Sequence, residues 1–336
     1  MDSALRPIFE GLAAAEGDRI AYSVAAVPGF PGYYVGKDND EKACLLIEIA
    51  DRNGRQHAPI RLESLEVQFE VPSVVKAGGK IAEGTFTVIR CRLPEPEIIR
   101  YFLSIAETLL RILGVRPARS AIATAVNRLA LIFQRLLNPP SRSVTGFFGE
   151  LFVIRHSRSP LRALAAWRLD DISRFDFTAG DVRLDVKASA GRLRNHSFSY
   201  DQCNPPSGTI AIVASLFAER TGDGTSLGEL VRDIERATAS NTELVLKLHD
   251  IVAGTLGASL QEALAIRFDQ RLAAGSLQFY DLRAVPAIRG NAPVGVSDIH
   301  FRSDLSICSA VSVPALIDRD PMLGELVPDP SKSTVA

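Results

Sequence analysis

The sequence is short of cysteine and contains no long apolar run. Its four cysteines, Cys44, Cys91, Cys203 and Cys308, lie far apart without a CxxC pair, which argues against a zinc site and a disulfide framework. No apolar stretch approaches the roughly 20 residues that span a bilayer. The N-terminal stretch carries acids early and is typical of an amphipathic helix, not of a signal peptide. We therefore expect a cytoplasmic protein with no membrane partner.

A strong net charge is also missing. The 336 residues carry a formal net charge of −1, with 46% apolar and 23% charged residues, which indicates a globular chain long enough for two domains. The charge is unevenly spread, because residues 116–196 hold 14 Arg and Lys against six acids, a local balance of +8. Such a basic middle suggests a phosphate-binding surface. Composition explains it equally well, since 31 of the 38 basic residues are arginine.

Short strand-like segments fill the first hundred residues after a helix predicted over residues 1–14. They alternate or are β-branched, turn signals such as "PGFPG", "DRNG" and "AGG" separate them, and together they predict an antiparallel sheet. The predicted strands cover residues 20–27, 43–49, 59–71 and 84–93. Helical periodicity follows over residues 95–113 and 118–137, and "NPPSR" ends the second helix.

The second half is predicted to be a mixed α/β layer. A helix over residues 143–156 precedes a hairpin, a strand "SFSY" and an apolar run long enough for a buried central strand. The apolar run covers residues 209–217, further helices cover 227–237 and 242–252, and late strands cover 277–285 and 296–306. We divide the chain into a β-rich domain with flanking helices (1–114), a helical connector (115–142), a second domain (143–320) and a C-terminal tail (321–336).

The hairpin "RFDFTAGDVRLDVKAS", residues 174–189, carries two acids and an amine. Residues two apart on a strand share a face, so Asp185 and Lys187 lie together, and folding at "TAGD" brings Asp176 near Asp185 across the hairpin. Two adjacent carboxylates raise each other's pKa unless a cation lies between them, and Mg²⁺ prefers such oxygen ligands. The hairpin therefore predicts a metal site that cuts phosphodiester bonds, and a solvated hairpin with ordinary charges is the alternative.

Lys187 is the only lysine between Lys80 and Lys247. Arginine cannot readily lose its proton, whereas the pKa of a lysine shifts easily. A lysine beside a metal site can hold or deprotonate an attacking water. A lone lysine can also survive by chance.

Glu150 supplies a third carboxylate, at the edge of the apolar arc of its predicted helix. Gly146 and Gly149 in the same helix each cost about 1 kcal/mol relative to alanine, which indicates that a sheet or a phosphate approaches the backbone closely. Without the hairpin, Glu150 would be interpreted as an ordinary surface glutamate.

Glu150, Asp176 and the run Asp185-Val186-Lys187 resemble the PD-(D/E)xK nuclease superfamily, with its helix glutamate, first aspartate and D-x-K. "GFFGELFVI", "FDF…LDVKAS", "RNHSFSYDQ" and "AVPAIRGNAPVGVSDIHFRSDLS" resemble a bacterial family named only for this motif, whose members tend to be encoded near DNA methyltransferases and helicase-like ATPases in phage-defence loci. The likeness is strong over residues 143–215 and near 285–306, and weak before 115. Phe175 stands where the motif PD-(D/E)xK has its proline. This departure weakens the resemblance little, because the proline binds no metal.

The resemblance implies a mixed α+β protein with a restriction-endonuclease-like core, a mixed sheet flanked by helices, and an N-terminal antiparallel β-rich domain. By the same resemblance Asp176, Asp185 and the Val186 carbonyl bind Mg²⁺ or Mn²⁺, and Lys187 activates water. Glu150 holds a second ion or orients the first, and Gln202 stands where superfamily members often carry a glutamine near the active site.

The resemblance also implies that Arg192, Arg194 and His196 touch the phosphate backbone of DNA. A structural histidine is an equally good interpretation of His196. Trp167 is predicted to be a core residue.

The leading functional hypothesis is a Mg²⁺-dependent DNA endonuclease, the cleavage subunit of a restriction-like anti-phage system. The first alternative is a DNA-binding or assembly subunit whose cleavage stays dormant until a partner ATPase arrives, and the second is a protein-interaction module that binds an acidic partner. Expected partners are DNA and the helicase-like ATPase and DNA methyltransferase of the same locus. A homodimer is among the oligomeric states left open.

Overall fold

The computed structural model describes residues 4–13, 15, 22–49, 57–77, 80–168 and 173–329. The chain forms two compact units, one of residues 1–140 with 245–261 and one of residues 141–244 with 262–336. The four-part division made from the sequence stays a prediction, and the units depart from it at residues 245–261, which group with the first unit. Part of the predicted tail is helical, at Pro321–Leu326.

The first unit contains an antiparallel six-stranded sheet in the order β1-β2-β3-β6-β5-β4. Its strands are β1 (Ser23–Ala26), β2 (Tyr33–Lys37), β3 (Ala43–Glu48), β4 (Ile60–Arg61), β5 (Leu65–Ala77) and β6 (Lys80–Cys91). Its helices include α1 (Leu5–Glu10), α2 (Pro96–Leu113) and α3 (Arg119–Arg135). The predicted antiparallel sheet is confirmed, but the sequence analysis missed β2, which follows directly on the "PGFPG" turn.

Several predictions for this region fall partly on residues outside the described ranges. These are residues 1–3 and 14 of the first predicted helix, residues 20 and 21 of the first predicted strand, the "DRNG" turn and the two glycines of "AGG".

The rest of the chain alternates helices and strands. The helices are α4 (Val144–His156), α5 (Pro160–Ala166), α6 (Tyr200–Cys203), α7 (Leu227–Thr238), α8 (Thr242–Leu256), α9 (Leu260–Ala265), α10 (Gln270–Ser276), α11 (Val313–Arg319) and α12 (Pro321–Leu326). The strands are β7 (Phe177–Ala179), β8 (Val182–Ser189), β9 (Asn195–Ser199), β10 (Ile210–Phe217), β11 (Arg220–Ser226), β12 (Arg267–Phe268), β13 (Gln278–Asp281) and β14 (His300–Asp304).

A four-stranded mixed sheet, in the order β13-β10-β8-β7, forms the centre of the second unit. Strand β10 runs parallel to β8 and antiparallel to β13, and β7 is antiparallel to β8. The apolar run of β10 is buried between its two neighbours, as its composition predicts. The predicted mixed sheet flanked by helices is therefore confirmed.

Helix α4 packs on one face of this sheet through Gly149. A Cβ added at Gly149 would lie 2.8 Å from the Cβ of Ala188 and 3.2 Å from Cγ1 of Val186, closer than side chains tolerate. The glycine thus allows helix and sheet to meet. Of the two partners that the sequence left open for this glycine, the structure shows the sheet.

A two-stranded ribbon of β9 and β14 covers the opposite face. Phe198 of the ribbon packs in one buried cluster with Val213 of β10 and Tyr280 of β13. Asp185 pairs in register with Val213, and Lys187 pairs with Ser215. Since directly opposed residues point to the same side of a sheet, Asp185 and Lys187 lie on this ribbon-covered face.

No helix within the described ranges is long and apolar enough to cross a membrane.

Candidate active site

Asp176 and Asp185 meet at the end of the β7–β8 hairpin. Phe177 pairs with Leu184, so Asp176, one residue earlier, stands opposite Asp185. The Val186 N–H donates to Asp176 Oδ2 at 2.7 Å, and the two aspartates are only 4% and 3% exposed. The structure thus brings together the two carboxylates that the hairpin register predicts to be neighbours.

Lys187 completes the group on the same strand face. Its Nζ lies 2.9 Å from Asp185 Oδ2 and 5.0 Å from the centroid of the Phe198 ring. Burial is the largest single influence on the pKa of Lys187 and lowers it, but the attraction of Asp185 and of Asp176 together leaves the pKa above its ordinary value. The amine is therefore an ammonium ion held against a carboxylate and an aromatic ring.

Gln202 contacts the site from the first turn of α6. Its Oε1 accepts from the Ser199 N–H at 3.0 Å, while the Ser199 hydroxyl caps the same helix. This contact fixes the orientation of the amide, so Nε2 donates to Asp185 Oδ1 at 3.0 Å and to the Arg174 carbonyl at 2.8 Å. The structure thus places Gln202 beside Asp185.

Glu150 is held by donors that sequence reasoning did not assign to it. Trp167 Nε1 donates to Glu150 Oε2 at 2.7 Å, and Arg142 Nη1 lies 3.2 Å from the same oxygen. Arg168 Nη2 lies 3.4 Å from Glu150 Oε1 and 2.8 Å from Asp176 Oδ1. Arg168 thus links Glu150 to Asp176, and Glu150 is 4% exposed, deeper than the helix edge predicted for it.

Trp167 is a core residue, as predicted, at 1% exposure and stacked on Phe147. It is also a hydrogen-bond donor to the site, which the sequence analysis missed. A signal was present, because a buried indole N–H needs an acceptor and a buried carboxylate needs donors.

The pKa values of the two aspartates are both raised to about 6. Burial is the largest cause for each. The charge of Glu150 adds to the rise at Asp176, and the charge of Asp176 adds to the rise at Asp185, while Arg168 and Lys187 oppose both. The local cations thus compensate the two negative charges only in part.

This uncompensated charge fits a divalent cation. Asp185 Oδ2 receives no directed hydrogen bond in the described part of the chain, although Lys187 Nζ is near. Because the N–H and C=O of one strand residue point to the same side, the Val186 carbonyl faces the side where its N–H meets Asp176. Two carboxylates and a carbonyl are oxygen donors of the kind that Mg²⁺ takes while keeping several waters.

Glu150 is not brought into that ligand group. No three His, Cys, Asp or Glu side chains of the described ranges form a metal-binding cluster, and Arg168 stands between Glu150 and Asp176. A direct metal contact by Glu150 therefore does not follow from this geometry. Its contacts suit a role in positioning Arg168.

The three residues predicted to touch DNA phosphates have contacts within the protein. Arg192 is exposed and forms an ion pair with Glu219 at 2.6 Å, whereas Arg194 donates to the carbonyls of Ser215 and Ser276. His196 is 6% exposed, and its Nε2 lies 2.8 Å from Ser215 Oγ.

Burial, followed by the charge of Lys187, lowers the pKa of His196 to about 4. A buried imidazole in contact with the Ser215 hydroxyl fits the alternative interpretation of a structural histidine, and a phosphate contact by His196 stays a prediction.

The basic middle of the sequence is largely neutralised in the fold. In the part of the chain that the structure describes, its cationic residues form the ion pairs given next, and five of these pairs use acids from outside residues 116–196. The pairs are Arg119–Glu70, Arg135–Asp250, Arg142–Glu150, Arg155–Asp233, Arg168–Asp176, Arg174–Asp201, Lys187–Asp185 and Arg192–Glu219. The +8 balance therefore overstates the positive charge available to a phosphate backbone.

Comparison with known families agrees with this geometry. Residues 7–306 match the family model DUF4420, described as "Putative PD-(D/E)XK family member". No curated protein and no solved structure matches the chain. Since the family model covers most of its length, the chain belongs to this family. The resemblance to the PD-(D/E)xK superfamily is thereby confirmed, together with a nuclease-like fold.

Proposed function

We propose that this family member is a Mg²⁺-dependent DNA endonuclease, with Mn²⁺ as a substitute, and that it hydrolyses phosphodiester bonds at the Asp176–Asp185–Lys187 site. One observation carries the proposal. Asp185 and Lys187 share one face of β8, and Asp176 is tied to the same strand at Val186 N. Two buried carboxylates with raised pKa values are costly in a protein interior unless they serve a site.

In this proposal Asp176, Asp185 and the Val186 carbonyl hold the cation. A divalent ion bound there supplies Lewis-acid polarisation of the phosphate and lowers the pKa of a bound water. Gln202 keeps Asp185 in place through Nε2, and Arg168 does the same for Asp176.

Lys187 has two tasks in the proposal. Its ammonium group lies where it can pair with a phosphate oxygen and orient the attacking water. Asp185 is the main cause that raises its pKa, so Lys187 loses part of that attraction when Asp185 shares its charge with a cation. A proton then leaves Nζ more easily, which suits a general base.

A specific contact favours a second candidate, a DNA-binding or assembly subunit whose cleavage is dormant. Arg168 Nη2, 2.8 Å from Asp176 Oδ1, competes with a cation for this carboxylate. In this candidate a helicase-like ATPase, encoded with a DNA methyltransferase in a restriction-like phage-defence system, shifts Arg168 and releases Asp176.

Plasmid cleavage by the wild type and by Lys187→Ala, each with and without Mg²⁺, tests the proposal. We expect wild-type cleavage only with metal, and none by the variant. Metal binding measured by calorimetry should persist in Lys187→Ala, because both aspartates remain. DNA binding by the wild type with weak or absent metal binding and no cleavage would favour the dormant subunit, in which Arg168 keeps the cation from Asp176. Absence of both metal binding and DNA binding would contradict both candidates.

A further inference from the structure

A pocket of about 540 Å³ opens beside the β9–β14 ribbon in the second unit. Its lining includes Leu193, Arg194 and Asn195 at the start of β9, Phe217 at the end of β10, and Gln278 and Tyr280 of β13. This volume is within the range of pockets that bury small planar ligands. No role in the proposed cleavage uses it.

The pocket shares a sheet face with the candidate active site. Ser215 pairs with both Lys187 and Gln278, and Val213 pairs with both Asp185 and Tyr280. Phe217 pairs with Ser189, one strand over from Lys187 and two residues further along. At about 4.8 Å between strands and about 3.3 Å per residue, the backbones of Phe217 and Lys187 lie roughly 8 Å apart. That separation equals the rise of two or three base pairs along the duplex axis, at about 3.4 Å each.

The charges around the pocket do not suit an anion. Arg192 is paired with Glu219, and the guanidinium of Arg194 is engaged by carbonyl groups. Asp304, on β14, adds a carboxylate to the lining. A phosphate would meet one negative charge and two cations that already have partners, which argues against an anionic ligand.

The remaining lining suits a flat ring with hydrogen-bonding edges. Arg194 Cζ lies 4.7 Å from the centroid of Phe217, and nucleobases stack on such aromatic and guanidinium planes. Gln278 Oε1 accepts from the Tyr280 hydroxyl at 2.6 Å, which leaves the amide NH₂ of Gln278 as a donor. Asn195 and Asp304, which stand opposite each other in the ribbon register, also line the pocket. Asp304 Oδ1 already accepts the Ser306 N–H at 2.8 Å, so its Oδ2 is the oxygen that suits an exocyclic amino group.

An exposed leucine stands at the edge of the pocket. Leu193 is 72% exposed and lies between Arg192 and Arg194 in the loop that joins β8 to β9. Apolar side chains in such positions enter DNA between neighbouring bases and unstack them. A wedge next to a pocket with room for a flat base is an arrangement that suits base extrusion.

We propose that this pocket receives one unstacked nucleobase of the bound DNA, and that Leu193 opens the stack. The inference rests on the proposed function in so far as the ligand is a base of the DNA strand that enters the active site. It assigns the pocket a part in choosing where the strand is cut, because the base is held a fixed distance from Lys187.

The test uses short duplexes with randomised flanks and one 2-aminopurine opposite a mismatched base, since a mispaired base is easiest to extrude. The full chain is mixed with these duplexes in Ca²⁺ without Mg²⁺, and 2-aminopurine fluorescence and DNA binding are both recorded. We expect wild-type protein to raise the fluorescence several-fold. Leu193→Ser and Gln278→Leu should lose most of that rise while their DNA affinity changes less than threefold.

Leu131→Ser is the matched control, because Leu131 is a similarly exposed leucine (59%) in the first unit, and it should behave as wild type. Retention of the full rise by both pocket variants would overturn the inference, as would DNA binding by wild type with no rise. Tight binding of free deoxynucleotides without a fluorescence rise on DNA would identify a nucleotide-binding pocket instead.

Failure of the proposed function is distinguishable in the same experiment. A rise in fluorescence without cleavage in Mg²⁺ would support the base-binding pocket and contradict the proposed nuclease activity. Cleavage in Mg²⁺ without a rise in fluorescence would contradict the base-binding pocket and support the nuclease activity.

Discussion

Each unit of the protein buries a carboxylate next to a cation, and the two clusters are built differently. In the first unit Asp38 is 3% exposed, and its Oδ1 accepts the backbone N–H groups of Asp40 and Lys42, both at 2.9 Å. Arg90 Nε lies 3.3 Å from Asp38 Oδ2, and Arg90 Nη2 donates to the Tyr22 hydroxyl at 2.7 Å. The negative charge thus has two backbone donors and a cation.

In the second unit Asp185 has one amide donor and one ammonium neighbour, and Asp176 lies beside it. Both aspartates keep pKa values of about 6, so the surroundings do not fully stabilise their ionised forms. A buried carboxylate with its donors complete holds a turn together, whereas an under-compensated pair costs free energy that only a bound cation recovers. This contrast separates a structural cluster from a candidate site.

The largest expected effect is on cleavage by Lys187→Arg. The positive charge remains, but guanidinium is planar, broader and always protonated, so it cannot replace a compact ammonium or take a proton from water. Loss of general-base help lowers cleavage by about 10²–10⁴-fold, measured on plasmid DNA in Mg²⁺.

The matched control for this variant is Lys42→Arg in the first unit. Lys42 Nζ lies 3.3 Å from Asp40, a mostly exposed partner, and the change should alter the free energy of unfolding by less than about 0.5 kcal/mol. If the Lys187→Arg protein cleaved at the wild-type rate, Lys187 would act only as a positive charge, as Lys42 does. The two lysines would then not differ in function.

The next expected effect is on the way in which the stability of the metal-free protein depends on pH. Unfolding is monitored by the fluorescence of Trp167, the single tryptophan. The pKa of Asp185 is higher in the folded than in the unfolded chain, so the folded state binds more protons and stability falls as pH rises from about 4 to about 6. Asp185→Asn removes this loss. At pH 4 variant and wild type should be similarly stable, and at pH 7 the variant should gain about 3 kcal/mol.

His196 acts with the opposite sign, which partly masks the effect in wild type. Its folded pKa of about 4 lies below its unfolded value, so its contribution is lost as pH falls from about 6.5 to about 4. The comparison of Asp185→Asn with wild type cancels this term, because both contain His196. A constant difference between the two proteins from pH 4 to pH 7 would contradict the under-compensation of Asp185.

Asp38→Asn should have the opposite consequence at neutral pH. It leaves the partly buried Arg90 without its closest carboxylate, and we expect a loss of about 1–3 kcal/mol in the free energy of unfolding, measured by urea denaturation and circular dichroism. Cleavage by the folded fraction should not change. Stabilisation by Asp38→Asn would show that this cluster too is under-compensated.

Local periodicity was enough to predict much of the second unit. The helix over residues 143–156, the "TAGD" hairpin and the central apolar strand depend on neighbours in sequence, and so does the shared face of Asp185 and Lys187. The donors to Glu150 could not be predicted in this way, since Trp167 and Arg168 reach it from other segments. For the same reason the ion pairs of the basic middle could not be predicted, because acids such as Asp233 and Glu219 reach its arginines from other segments; a phosphate-binding surface there stays a prediction.

The smallest expected effect is on the stability of Trp167→Phe. This variant tests a neutral hydrogen-bond donor to a buried carboxylate, whereas the earlier variants changed charged groups. Phenylalanine keeps an aromatic ring against Phe147 but removes the N–H that donates to Glu150 Oε2. Glu150 remains buried with Arg142 and Arg168, so the loss should be near the lower end for a bond to a charged acceptor, about 1.5 kcal/mol. Circular dichroism in urea measures it, since the variant lacks the fluorescent residue.

Tyr33→Phe in the first unit is the matched control for that variant. The Tyr33 hydroxyl donates to the neutral carbonyl of Gly114 at 2.8 Å, and its removal should cost about 1 kcal/mol. Cleavage distinguishes the two variants further, because Glu150 contacts Arg168 and Arg168 contacts Asp176, whereas Tyr33 belongs to the first unit. We therefore expect Trp167→Phe to lower cleavage measurably and Tyr33→Phe to leave it unchanged. Equal cleavage by both variants would show that the hydrogen bond to Glu150 serves stability alone.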